Sequence, residues 1–412
     1  MNPVVATTAP PSLPPASEWP LGESPLDIAP AGWRPTPFHD FVVKLHSRCD
    51  LACDYCYMYE LADRSWRGRT VFMPDEVVDL ATRRIAEHAR DHRLSTIRVI
   101  LHGGEPLLAP PATLQRVVST LRAALSPGTA AQFTVQTNGT RLTEQRLRLL
   151  RAAGLRVGVS VDGGRVANDR HRRHLGGRSS FPAVDRALRL LREQSDLFAG
   201  ILSVIDLRND PVETYETLLA YQPPALDFLL PHGNWSEPPP GRPPDTSTRY
   251  GEWLVAVFDR WYDAPRRETR LRLFEEIAVG VLGGHSRSEQ IGLSPVGVIV
   301  IDVDGSLEQV DTLRSAYEGA PATGLTLADH PLDAALRHPA VIARQIGAKA
   351  LAPACLDCSV HPVCGGGYYP HRYRKGSGFR NPSVYCADLR YLIDHIAGRV
   401  QADVARVMRQ RA

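Results

Sequence analysis

Three cysteines fall within eight residues in CDLACDYC, at Cys49, Cys53 and Cys56. Thiolates are soft, strong ligands, and this spacing lets one loop offer three of them to one centre. A 4Fe–4S cluster held by three thiolates keeps one iron open for an exogenous ligand. A structural zinc knuckle that borrows His46 is the alternative that spacing alone leaves open. The other four cysteines, Cys355, Cys358, Cys364 and Cys386, stand in CLDCSVHPVC and NPSVYC. Four thiolates make a closed site for zinc or for a second 4Fe–4S cluster, and spacing does not separate the two. Three plus four uses all seven cysteines, which leaves none for a nucleophile or a disulfide.

Composition narrows the classes. A chain of 412 residues, 43% hydrophobic, can bury a full core and is expected to form more than one domain. A net charge of +3 gives no strong field for nucleic acid. No apolar run reaches membrane-spanning length. The N-terminus MNPVVATTAPPSLPPASEWP has no basic segment followed by an apolar core, so no signal peptide is expected there. The expected location is cytoplasmic, where clustered cysteines bind metals more often than they form disulfides.

The elements that must position these cysteines follow from periodicity. Residues 1–36 are rich in Pro, Ala and Ser and are expected as a mobile tail. A strand over Phe41 to Leu45 runs directly into the first cysteine loop. Helix and strand signals then alternate, with strands in TIRVILHGGEP, AQFTVQTNGT, RVGVSVDGG, FAGILSVIDL and ALDFLLPHGNW. Six strands alternating with helices imply a parallel α/β sheet. The polar words HGGEP, QTNGT, SVDGG and PHGNW all follow strands, so a curved sheet places them on one rim beside the cysteine loop. SEPPPGRPPD reads as a linker, and GVIVIDVDGSLEQVD as a hairpin turned at Asp304-Gly305. A last amphipathic helix closes the chain.

At these motifs the sequence resembles the radical S-adenosylmethionine (SAM) superfamily, in the branch with a C-terminal SPASM domain. CDLACDYC matches the CxxxCxΦC motif, HGGEP the glycine motif after the second strand, and SVDG and NDRHRR the region around the fourth strand. The resemblance implies a partial (β/α)6 barrel over residues 37–235, then a linker and bridging helices over 236–284. A SPASM-like auxiliary domain over 285–390 and a terminal helix over 391–412 complete the chain. It implies that Cys49, Cys53 and Cys56 hold a 4Fe–4S cluster whose open iron takes the amino and carboxylate groups of SAM. Glu105 would accept from that amino group, with Gly103 and Gly104 allowing close approach. Ser160 and Arg172 would meet the carboxylate, the backbone at Tyr55 the adenine, and Asn138 and Asp162 would shape the pocket. Cys355, Cys358, Cys364 and Cys386 would hold one auxiliary 4Fe–4S cluster. The ligands of a second auxiliary cluster are missing, because Val310 and Tyr368 stand where cysteines are expected.

The finer resemblance, in LLPHGNW, DGSLEQVDTL and PHRYRKGSGFRNPSVYCADL, is to cyclophane-forming peptide maturases of the FxsB type. It implies a 5′-deoxyadenosyl radical that joins a Cβ of a ribosomally made precursor peptide to an aromatic ring. A flavodoxin- or ferredoxin-like donor would supply the electron. Asp311 is the expected base, His102 a second catalytic candidate, and His232 and Trp235 are expected substrate contacts. The basic, aromatic HRYRKGSGFR is a candidate grip for an acidic leader. Thioether or formylglycine formation, or a non-catalytic iron–sulfur or zinc scaffold, are the alternatives.

Overall fold

Side chains alternate between the faces of a strand, so a sheet covered by helices on one side and hollow on the other is fully buried at every second residue. Thr96–Gly103 has this pattern: Ile97, Val99 and Leu101 are buried, while Ile100 faces a cavity. The computed structural model describes residues 18–241 and 247–411. Its strands are β1 (Asp40–His46), β2 (Leu51–Cys53), β3 (Thr96–Gly103), β4 (Ala130–Thr137), β5 (Leu155–Ser160) and β6 (Arg172–His174). They continue with β7 (Phe198–Val204), β8 (Ala225–Leu229), β9 (Arg270–Leu271), β10 (Val298–Ile301), β11 (Ser306–Glu308) and β12 (Ala322–Thr326).

Ten strands form one sheet in the order β12-β11-β10-β1-β3-β4-β5-β7-β8-β9. The six strands read from the sequence are β1, β3, β4, β5, β7 and β8, neighbours in that order and all parallel. Helices Asp75–Asp91, Pro111–Ala124, Glu144–Ala153, Phe181–Arg192 and Pro211–Leu219 fill the crossovers. Their ends follow local chemistry. Thr143 caps one by accepting from the backbone N–H of Arg146, and Gly154 ends it in the left-handed region at φ 72°. On the hollow side, Ile100, Gln136, Gly158, Leu202 and Asp227 line a cavity of 1190 Å³.

Three features depart from the sequence reading. The hairpin turned at Asp304-Gly305 is present, but β10 pairs in parallel with β1, so the hairpin continues the barrel sheet. Residues 18–36 are not a loose tail. Glu18 and Trp19 are buried, Trp19 packs in an apolar cluster with Val310, Tyr369, Tyr373 and Phe379, and Thr36 exchanges two 2.9 Å hydrogen bonds with the Gln345 amide. Residues 1–17 lie outside the described residues. Finally, β2 and β6 form a two-stranded antiparallel sheet that no alternation in the sequence announced, since each has three residues.

The terminal helix Cys386–Arg411 lies along helix Arg249–Tyr262. Asp388 accepts from the backbone N–H groups of Tyr250 and Gly251 at 2.9 and 3.0 Å, satisfying donors that a helix start otherwise leaves open.

Candidate active site

The cysteine loop is clamped from two sides. The backbone N–H of Gly104 donates to His46 O at 2.7 Å, and that of Glu105 to Arg48 O at 3.0 Å. A Cβ on Gly103 would overlap the His46 carbonyl, and one on Gly104 the Arg48 carbonyl. Gly103 also sits at φ 150°. The glycines thus admit the cysteine loop itself. From the other side β2 pairs with β6, which sets Cys53 opposite Arg172. Sequence reasoning missed this pairing, yet it is what delivers an arginine 119 positions away to the cysteine loop.

The polar residues of the rim interlock. Glu105 is fully buried and accepts from Leu107 N at 2.9 Å, Thr137 Oγ1 at 2.7 Å and Asn138 N at 2.8 Å. Two of these reach Oε1 and one reaches Oε2, so one acceptor position of Oε2 remains. Burial pushes the Glu105 carboxyl up to about 7, and the three donors offset only part of that shift. The Asn138 amide donates to Cys49 Sγ at 3.6 Å and to Asp50 at 2.8 Å. Asp162 accepts from the Tyr55 hydroxyl and from Val204 N, and Arg172 donates to the same hydroxyl at 2.9 Å. The Arg172 Nε is buried without a partner. Ser160 accepts from the Gln136 amide at 2.9 Å at the end of β5. Cys49, Tyr55, Glu105, Asn138, Asp162 and Arg172 therefore meet on one rim; Ser160 stands on the adjoining strand end.

Tetrahedral zinc with bonds of about 2.3 Å draws its sulfurs to about 3.8 Å of one another. Among the described residues, neither cysteine set has three sulfurs all within 4.8 Å. Both sets are nonetheless gathered, because their thiols act electrostatically on one another: Cys53 on Cys49 and Cys56, Cys386 on Cys355 and Cys364. Burial pushes the Cys49, Cys56 and Cys364 thiols up to about 12, so as thiolates they need a cationic centre between them. None of the seven forms a disulfide.

Asp311 is not a hairpin carboxylate in solvent. It opens the 3-10 turn Asp311–Ser315 and is buried, 2.5 Å from Lys44 Nζ through Oδ1, with its Oδ2 3.9 Å from His102 Nδ1. Lys44 and His102 are register partners on β1 and β3 and share the hollow face. Lys44 also meets Glu308 at 3.2 Å and Asp302 at 3.5 Å, and Arg314 meets Glu308 at 2.6 Å and Asp63. Burial lowers the Lys44 ammonium, but the three carboxylates outweigh it and raise it overall. Burial also lowers the His102 ring, against the pull of Asp311. Lys44 was not singled out from the sequence. The signal available was a lysine inside an apolar strand, in a chain that is otherwise nearly all arginine.

The remaining expectations divide. His232 lines a 560 Å³ cavity with Tyr55, Leu61, Ile205, Leu207 and Pro231, its Nδ1 buried without a partner and its ring edge-on to Tyr57 at 4.9 Å. Burial lowers the His232 ring to about 4. Trp235 faces elsewhere: its indole donates to Pro382 O at 2.7 Å and Arg374 lies 4.8 Å over its ring. These contacts join the loop after β8 to the C-terminal region. In HRYRKGSGFR, Arg372 is buried against the Gly365 and Gly367 carbonyls and Arg380 lies over Trp19, so these side chains are already engaged. Val310 and Tyr368, where cysteines are expected, lie among apolar and aromatic neighbours: Val310 in the Trp19 cluster, Tyr368 beside His232 and His371.

Comparison with known proteins agrees with this geometry. Residues 43–218 match the family model of the radical SAM superfamily. The chain is 26% identical over 366 residues to the serine-type anaerobic sulfatase-maturating enzyme of Klebsiella aerogenes, covering 87% of this chain and 86% of that one. It is 24% identical to the serine-type enzyme of Bacteroides thetaiotaomicron, covering 60% of this chain and 63% of that protein, which is less than two thirds of its length. Among solved structures it superposes on anSMEcpe with bound AdoMet at a TM-score of 0.77, with 21% identity and coverage of 89% and 99%. On Streptococcus suis SuiB bound to precursor peptide SuiA it gives 0.57, with 12% identity and coverage of 85% and 76%. These structures establish a shared fold. Residues 43–218 carry a radical SAM domain. SAM and a 4Fe–4S cluster are the cofactors of the radical SAM family matched over residues 43–218. Among the described residues, no helix is long and apolar enough to cross a membrane.

Proposed function

We propose that this enzyme is a maturase that oxidises a peptide or protein substrate at a side-chain Cβ. The observation that carries the reading is the convergence, on one rim, of the cysteine triplet, Glu105 with one free acceptor position, and Arg172 with an unpartnered Nε, beside a cavity large enough for several residues. When bound there, the cluster and SAM supply a radical able to take hydrogen from an unactivated carbon. Cys49, Cys53 and Cys56 would hold the cluster, Glu105 would take the ammonium of SAM, and Arg172 would orient its carboxylate by charge-assisted bonds. Cys355, Cys358, Cys364 and Cys386 hold the auxiliary cluster. Tyr55, Leu61, Ile205 and His232 enclose the peptide and exclude water. Asp311 accepts the proton lost from the oxidised substrate at Oδ2, while its Oδ1 stays paired with Lys44 at 2.5 Å.

Two fates of the substrate radical divide the relatives. Similarity to sulfatase-maturating enzymes along most of the chain favours formylglycine-type oxidation. Cyclophane formation is the second reading, favoured by the single auxiliary cysteine set and by Val310 and Tyr368 in place of further ligands. The test incubates reduced, reconstituted enzyme and SAM with two peptides. One carries a sulfatase motif and the other is encoded beside this gene. A serine-derived aldehyde and a ring crosslink both lose two hydrogens, but only the aldehyde reacts with a hydrazide. A labelled product from the first peptide supports formylglycine formation, and an unlabelled, protease-resistant ring in the second supports the crosslink. SAM cleavage that no peptide stimulates would overturn the maturase reading.

A further inference from the structure

A second group of ligand-type side chains lies outside the rim, on the helix that covers β1. His88, in the last turn of helix Asp75–Asp91, and His92, which follows its end, are spaced i, i+4 and share one face. Their rings lie 4.5 Å apart. Asp333, in the 3-10 helix Leu332–Arg337, reaches both: its Oδ1 is 2.5 Å from His88 Nδ1 and its Oδ2 is 2.9 Å from His92 Nε2. These ligand atoms all lie within 4.8 Å of one another, the only such trio of His, Cys, Asp or Glu among the described residues.

The buried histidine explains what this trio is built to hold. His88 is almost fully buried against Phe38 and Phe41, and its Nε2 lies 3.1 Å from the Phe38 carbonyl oxygen. A carbonyl only accepts, so Nε2 carries the hydrogen and donates it. In a neutral ring Nδ1 is then a lone pair, and it points at a carboxylate oxygen, which is also an acceptor. Two facing acceptors need a positive centre between them, either a proton or a metal ion. A ring N–H fixed on a backbone carbonyl, with the opposite nitrogen presented beside a carboxylate, is the outer-shell arrangement of a metal-ligating histidine. His92 and Asp333 are partly exposed, so a fourth position opens to solvent.

We propose that His88 Nδ1, His92 Nε2 and Asp333 bind a divalent transition-metal ion, with water in the fourth position, as a clamp between the barrel helix and the segment after β12. The donor set, two imidazoles and one carboxylate, suits zinc. No electron or proton is transferred, and the clamp stands apart from the rim chemistry and does not depend on the maturase reading.

The test uses reconstituted holoenzyme, in which iron occupies the cysteines, dialysed anaerobically against zinc chloride with a weak competing chelator. Zinc and iron are counted in the same samples of wild type, His92→Ala and Asp333→Asn. Wild type should retain about one zinc per chain more than either variant, with iron unchanged, because the ligand set has one three-donor site. Zinc should also raise the Tm of wild type and leave that of Asp333→Asn unmoved, since a ligand that binds only the native state stabilises it. Equal zinc content and equal Tm response in wild type and both variants would overturn the site and leave a protonated ion pair in its place. His92 and Asp333 are only partly buried, so both variants are expected to fold; if either does not, the zinc-dependent Tm of wild type alone decides.

Discussion

The two cysteine sets are held in opposite ways. The first runs from the loop after β1 through the end of β2 and the turn beyond it, braced by the glycine turn and by the β2–β6 pair, and it opens onto Glu105, Asp162 and Arg172. The second sits on the short helical turns Pro353–Leu356 and His361–Cys364 and the first turn of Cys386–Arg411, around Arg372, whose guanidinium is spent on the Gly365 and Gly367 carbonyls. The first is a socket with free polar valences beside it. The second is surrounded by committed groups. What differs is less the thiolates than the neighbours: the proposed binding of a small zwitterion needs unspent donors and acceptors, which surround the first set and not the second.

The widest test of this contrast removes one ligand from each set. Cys53→Ala should abolish SAM cleavage and lower iron by roughly half, as expected when one of two 4Fe–4S clusters is lost. Cys355→Ala should lower iron by a similar share yet leave SAM cleavage measurable, with peptide product absent. Equal loss of SAM cleavage in both folded variants would break the comparison.

A smaller effect is expected at Asp311. Asp311→Asn should still form 5′-deoxyadenosine in the presence of peptide, while product falls roughly 100- to 10,000-fold, the range for a positioned base. Product formed in wild-type ratio to 5′-deoxyadenosine would remove Asp311 from the chemistry and direct attention to His102.

Glu105 sharpens the contrast further. Its carboxyl is raised to about 7 by burial, and only the ionised form attracts an ammonium. The affinity for SAM should therefore be full above that pH and decline as pH falls through it. Glu105→Gln should weaken binding by roughly 10- to 100-fold, the worth of a hydrogen bond to a charged group, and flatten the profile. Calorimetry across pH 6 to 8 reads both, and an unchanged wild-type profile would contradict the assignment. The smallest effect belongs to Trp235. Trp235→Phe loses the bond to Pro382 O and should cost about 0.5–1.5 kcal/mol of stability without altering the peptide KM. A raised KM would return Trp235 to the substrate site.

The fold was legible because the barrel is periodic. Six apolar strands alternate with amphipathic helices, and each polar word follows a strand, so periodicity alone places these words together on the rim. The short pieces were not legible. Strands β2, β6 and β9 have two or three residues each, too few for alternation to show, and β12 lies in a stretch without clear turn signals. Residues 18–36 read as tail from composition, whereas two side chains, Glu18 and Trp19, tie their N-terminal end down. Trp235 read as a contact from its place after a strand, but the direction of its indole depends on Pro382, distant in sequence.

The sequence alone determined which residues are of ligand type and which strand ends carry them, because ligand chemistry is a property of residue type and strand direction is a property of local periodicity. Tertiary structure decided which polar atoms are spent and which remain. Glu105 keeps one acceptor position, Arg172 keeps Nε, Asp311 gains Lys44, and His88 turns Nδ1 toward Asp333, all through contacts between segments far apart in the chain. Burial sets the cost of leaving such atoms unpaired, and burial exists only once the chain has folded.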